Sequence, residues 1–168
     1  KMKKSVSDGF TAVKILAVPQ SESLGESEKL KHAHDLMASA RESAGPDVDI
    51  MIDFHGRTSA PMAIKYAKVL EPFNPLFLEE VVPPDQIESL KSARKGITAP
   101  IAAGERWLHR IEFLPYLQAG LIDVAQPDVC HAGGVTEIRK ISALCESFGV
   151  SMAPHNPLGP IATMVNVH

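Results

Sequence analysis

The sequence is poor in several things, and each shortage removes a class of protein. Cysteine occurs twice in 168 residues, as Cys130 and Cys145. That is too few for a disulfide scaffold and points to a reducing, cytoplasmic setting. No apolar run approaches the ~18 residues of a membrane-spanning helix. Neither sign of charge dominates: the formal net charge of −3 gives no electrostatic basis for binding nucleic acid or an anionic membrane, and neither is expected as a partner. No Gly-x-Gly-x-x-Gly follows the first predicted strand, and no Gly-rich loop ends in Lys-Ser/Thr. The usual signatures of dinucleotide and P-loop nucleotide binding are therefore missing. Zinc spacing is missing too. Cys130 and His131 are adjacent, so their side chains diverge, and no second pair completes a site. The basic start Lys1-Met2-Lys3-Lys4 runs into Ser and Asp, not into the apolar stretch of a secretory signal.

What remains is a chain with 45% apolar residues, inside the globular range and long enough for a real core. Its apolar patterns alternate in kind. Short apolar runs predict strands over residues 10–16, 48–53, 76–79, 100–104, 121–125 and 150–153. Between them, apolar residues three and four apart predict helices. The first of these, from Ser27, carries Leu30, Ala33, Met37, Ala40 and Ala44 on one face and stops at Gly45-Pro46. Ser27 is the expected cap of that helix and Asp85 of the fourth-strand precursor helix, with Ser21–Glu26 a polar loop. Pro115 is expected in the first turn of its helix or at a kink. The chain is expected to open almost directly into a strand.

Six strands alternating with six helices imply a parallel sheet with right-handed crossovers. The strands are nearly all apolar, as required when both faces are covered. The fold class is therefore α/β, a partial (β/α) barrel of the TIM type, since six βα units do not close an eight-stranded barrel.

A polar residue stands at or just past the end of each apolar run after the first. Asp53, Glu79, Glu105, Asp128 and His155 are separated by 26, 26, 23 and 27 residues. Each spacing is about one strand, loop, helix and loop, so the side chains belong at successive strand ends. Taken singly, each acid would be a solvated loop residue. The regular spacing argues that they share a site. Asp53, Glu79 and Glu105 would repel one another there unless a cation joined them, and all-oxygen donors suit Mg²⁺, with Mn²⁺ as the alternative. Asp53 and His55, two apart in extended chain, project to one face. Asp128 is placed to accept the Nδ1 proton of His155 and make it a stronger base. His32, His34 and His109 read as surface or capping histidines, and Gly133-Gly134 as a tight turn or an anion site.

The motifs Asp-Phe-His-Gly-Arg (53–57), Leu-Glu-Glu (78–80), Gly-Glu-Arg (104–106), Gln-Pro-Asp (126–128) with His-Ala-Gly-Gly (131–134), and Ala-Pro-His-Asn-Pro-Leu-Gly-Pro (153–160) stand in order along the chain. Together they resemble the enolase superfamily, and within it the acid-sugar dehydratases of the mandelate-racemase subgroup. The resemblance implies that residues 1–168 are the central part of a C-terminal barrel domain, with the N-terminal capping domain and the final strand absent. It implies Asp53, Glu79 and Glu105 as metal ligands. His155, paired with Asp128, would be the base that removes the proton next to the substrate carboxylate, and His55 the acid that protonates the departing 3-hydroxyl. Lys14 and Arg57 are weaker candidates for binding the substrate carboxylate. The implied reaction is Mg²⁺-dependent dehydration of a small acid sugar, D-galactonate first, with gluconate or arabinonate as alternatives. The implied assembly is a homo-oligomer. Leu16 stands where racemising relatives often carry a lysine, which argues against a Lys-based racemase. A truncated, non-catalytic subunit or scaffold is the competing reading from another class.

Overall fold

The structure is a computed structural model that describes residues 2–19 and 25–168. The chain divides into two compact units, Lys1–Pro100 and Ile101–His168. The loop predicted over Ser21–Glu26 lies outside the described residues except for Gly25 and Glu26. No helix among the described residues is long and apolar enough to cross a membrane.

The first unit contains α1 (Met2–Ser7), β1 (Ala12–Ile15), α2 (Glu26–Ala44), β2 (Asp49–Asp53), α3 (Ala60–Leu70), β3 (Leu78–Glu79) and α4 (Ile87–Arg94). Helix α1 corrects the expectation that the chain opens into a strand. It is short and buries no residue, so it carries no apolar stripe for periodicity to reveal. A Lys4–Asp8 ion pair of 2.6 Å spans its end. The cap of α2 is Gly25, not Ser27; its N–H donates to Glu28 Oε2 at 3.1 Å, closing the orphan first turn from within the helix. Helix α4 is likewise capped by Gln86, not Asp85, and starts one residue later than an Asp85 cap would require. Ala33, Met37, Ala40 and Ala44 of α2 are buried, the stripe read from the sequence.

Strands β1, β2 and β3 pair in parallel, with Lys14 opposite Met51, Ile52 opposite Leu78, and Asp53 opposite Glu79. Partners in a parallel ladder share a face, and the face alternates along each strand. Ile50, Ile52 and Leu78 therefore point one way and are fully buried. Lys14, Met51, Asp53 and Glu79 point the other way. That alternation delivers two carboxylates and an ammonium to one side of the sheet.

The second unit contains β4 (Ile101–Ala103), α5 (Arg110–Gln118), β5 (Val124–Ala125), α6 (Gly134–Ser147), β6 (Ser151–Met152) and α7 (Pro160–Val167). Its strands also pair in parallel, β4 with β5 and β5 with β6. Pro115 lies past the first turn of α5, inside the helix. Trp107 stacks on Tyr116 at 4.0 Å and meets Phe113 edge-on at 4.9 Å, pinning α5 to the turn after β4. Cys145 is fully buried on α6, and burial pushes its thiol up to about 11; Cys130 is exposed.

Two positions make these units testable. Glu71 Oε1 accepts the N–H groups of Thr98 at 2.7 Å and Ala99 at 2.9 Å, tying the turn after α3 to the segment after α4. Burial raises its carboxyl pKa, but those N–H donors outweigh it and leave the group below its ordinary value. A depressed carboxyl stabilises the fold above its unfolded pKa and loses that contribution as pH falls through the folded pKa. Glu71→Ala is therefore expected to lower stability by about 1 kcal/mol near neutral pH, with the deficit shrinking in acid. Urea titrations of both proteins at neutral and acidic pH check this; a deficit independent of pH would reduce Glu71 to a packing role. Gly104 has φ 128°, and a Cβ there would lie 2.6 Å from the Phe113 ring. Gly104→Ala should cost about 2 kcal/mol or more in the same assay, and an unchanged midpoint would mean that the ring moves aside freely.

Candidate active site

In the first unit the site begins where β2 and β3 end. Asp53 and Glu79 are register partners, and Phe54 N–H donates to Glu79 O at 2.9 Å, so the two strand ends are locked level. Beyond them the backbone turns sharply. His55 has φ 56° and Glu80 has φ 45°, left-handed values that non-glycine residues seldom adopt. Asp53 Oδ1 accepts the His55 N–H at 2.7 Å, and Gly56 N–H donates to Glu80 O at 2.8 Å. Thr58 Oγ1 donates to Val81 O. These bonds hold the strained turn, and strain of this kind gathers at functional sites.

The His55 ring follows from that turn. Its Nδ1 stands 3.6 Å from Asp53 Oδ2, and its side chain is 43% exposed. Glu79 is fully buried, and Lys14 Nζ lies 2.8 Å from Oε1 and 2.7 Å from Oε2. Lys14 is thus engaged on Glu79, where the sequence suggested a partner for substrate. Arg57 is exposed.

The second unit supplies another constellation. Gly104 releases the chain from β4 and Glu105 follows, buried. Asp128 and His155 form an isolated parallel bridge beyond β5 and β6, which sets their side chains side by side. Asp128 is almost completely buried; its Oδ1 accepts the Cys130 N–H at 2.7 Å and its Oδ2 lies 2.8 Å from His155 Nδ1. His155 Nε2 lies 3.2 Å from Glu105 Oε2. The imidazole is held between two carboxylates, one at each nitrogen. A carboxylate oxygen only accepts, so each contact is a hydrogen bond only when that nitrogen carries a proton.

Some features of the site were not read from the sequence. Gln126 is 3% exposed, and its Oε1 has no hydrogen-bond partner. Glu80 is buried beside Glu79. Both sit inside motifs, next to acids that drew attention by their spacing, and nothing in composition separates them from loop residues. Among the described residues no group of three or more His, Cys, Asp or Glu side chains is gathered to hold a metal ion. Two of the acids expected as metal ligands each have a basic side chain of their own unit beside them, Lys14 at Glu79 and His155 at Glu105. An apolar groove of about 1070 Å³ in the second unit, lined by Ile138, Met152, Ile161 and Met164 among others, contains none of these groups.

The family profile described as enolase C-terminal domain-like matches residues 1–168. The chain is 44% identical over 160 residues to the D-galactonate dehydratase of Cronobacter sakazakii, covering 95% of this chain and 42% of that protein. It superposes on a mandelate racemase/muconate lactonizing enzyme-like protein from Roseovarius sp. with a TM-score of 0.91 and 31% identity, over 99% of this chain and 43% of that one. It also superposes on the 3,6-anhydro-D-galactonate cycloisomerase of Zobellia galactanivorans with a TM-score of 0.86 and 32% identity, over 99% of this chain and 45% of that one. The chain thus spans less than half the length of each of these relatives. The likeness runs through all six βα units, so the fold class is α/β of the partial TIM-barrel kind. The chain belongs to the enolase C-terminal domain-like family.

Proposed function

We propose that this chain carries the reacting groups of a hydro-lyase that dehydrates a small acid sugar, with D-galactonate as the first candidate. The observation that carries the reading is the Asp128–His155 pair at 2.8 Å. A buried carboxylate on Nδ1 fixes the ring and leaves Nε2 as the nitrogen that can exchange a proton. The similarity to a D-galactonate dehydratase supports the substrate class.

The chemistry then divides between two histidines. His155 Nε2 takes the proton from the carbon next to the substrate carboxylate, and the C–H electron pair moves into that carboxylate. His55 gives a proton to the 3-hydroxyl, which leaves as water while the electron pair returns to form a carbon–carbon double bond. The resulting enol becomes the 2-keto-3-deoxy acid. A positioned acid and base of this kind contribute typically ~10²–10⁴-fold each.

Proton loss next to a carboxylate needs compensation for a second negative charge. Asp53, Glu79 and Glu105 would hold the divalent ion that the family implies, Mg²⁺ or Mn²⁺. Their donor chemistry fits it: three carboxylates, 7%, 0% and 6% exposed, offering hard oxygen donors. When bound, such an ion supplies positive charge that stabilises the dianion. Before His155 Nε2 can accept a proton it must leave Glu105, so an alternative partner for Glu105 fits the same reading. Homo-oligomeric assembly belongs to this proposal as well.

One observation favours a neighbouring substrate. Leu16, two residues past Lys14, is 53% exposed, where the resemblance to galactonate dehydratases suggests a polar residue. Gluconate or arabinonate is the second reading.

The test is a turnover screen of the full chain with Mg²⁺ and each aldonate, detecting the 2-keto-3-deoxy product with a carbonyl reagent. One aldonate is expected to give product. His155→Asn should reduce the rate by ~10³-fold or more, and EDTA should abolish it until Mg²⁺ is restored. Failure with every acid sugar would favour a non-catalytic subunit or scaffold.

A further inference from the structure

The least expected contact in the first unit is the two-point grip of Lys14 on Glu79. The two residues are far apart in sequence, and Lys14 reaches across β2 to make it. Both Glu79 oxygens are taken by the same ammonium, at 2.8 and 2.7 Å. The carboxylate has no exposure to water, while the lysine side chain remains 36% exposed. A fully buried carboxylate without a nearby cation is among the costliest groups a fold can hold. Lys14 supplies that cation from inside the chain.

We propose that Lys14 is a resident counter-cation: it holds Glu79 in position while no metal is bound, and it must give up at least one Glu79 oxygen when a divalent ion arrives. The inference rests on Glu79 being a metal ligand. Its consequences are opposite in the two states. Without metal, Lys14 stabilises the fold. With metal, Lys14 competes for the same oxygens and weakens the ion's apparent affinity. The chain therefore stays folded when stripped of metal and binds the ion reversibly instead of depending on it to fold. The register explains why this lysine can serve: it shares the face of Met51, Asp53 and Glu79.

The experiment compares wild type, Lys14→Met, Lys14→Arg and Glu79→Gln in the full chain, using Mn²⁺ as the probe. Binding is read by the EPR signal of free Mn²⁺ and stability by thermal melting in EDTA and in excess Mn²⁺. In EDTA, Lys14→Met should melt roughly 5–10 °C below wild type, with excess Mn²⁺ removing most of that gap. It should bind Mn²⁺ about tenfold more tightly, since no ammonium has to be displaced. Lys14→Arg, which keeps the charge, should behave like wild type in both assays. Should Lys14→Met fold only when Mn²⁺ is present, the proposal is supported. Should it not fold at all, Lys14→Gln replaces it in the same comparison. The proposal is overturned if the lysine variant binds Mn²⁺ no more tightly than wild type while Glu79→Gln abolishes binding. If Glu79→Gln leaves Mn²⁺ binding unchanged, it is the metal reading of Glu79 that fails, and this inference goes with it.

Discussion

A carboxylate taken out of water must be met by a donor or a cation, and this requirement governs the strand ends of both units. Glu79 is fully buried and met by Lys14. Asp128 is almost as buried and met by His155 and the Cys130 N–H. Asp53 is met by the His55 N–H, and Glu105 by His155. Lining up acids at the ends of parallel strands concentrates like charge, and each unit counters it with a basic side chain, Lys14 from two strands away in the first and His155 in the second. Remove one partner and a charge is left buried, which is why these pairs act on stability and chemistry together.

The same arrangement separates positioning from reactivity. The apolar alternation of β2 and β3 faces Ile50, Ile52 and Leu78 into the core, and that packing fixes where Asp53 and Glu79 project. The turns beyond the strands carry the departures from ordinary geometry, at His55 and Glu80. In the second unit, Gly104 lets the chain pass the Phe113 ring so closely that no side chain fits, and the buried Trp107 ring meets Phe113 edge-on. Rigid strands supply the placement, and strained turns set the direction of the groups that would meet a substrate.

Much of this was legible because both signals are periodic. Apolar spacing revealed the six strands and the larger helices, and the near-constant interval from Asp53 to His155 revealed a polar residue at the ends of five of them. The misreadings share a cause. Ser27 and Asp85 are good capping residues by type, yet Gly25 and Gln86 occupy those places, because where a helix begins depends on where the preceding chain must arrive. Helix α1 carries no apolar stripe for periodicity to reveal, and Pro115 lies inside α5, where the sequence allowed a first-turn place or a kink.

The sequence by itself determined the α/β alternation, the placement of each acid at a strand end, and the family resemblance carried by five ordered motifs. These depend on residues near one another in the chain. Tertiary structure alone decided which cation meets which acid. Lys14 looked like a group waiting for substrate, and it is bound to Glu79 across an intervening strand. The spacing pairs His155 with Asp128, and its second nitrogen meets Glu105 as well. Such partnerships are set by register and side-chain reach between distant segments, and the energy of a buried charge, which no local pattern encodes, selects among them.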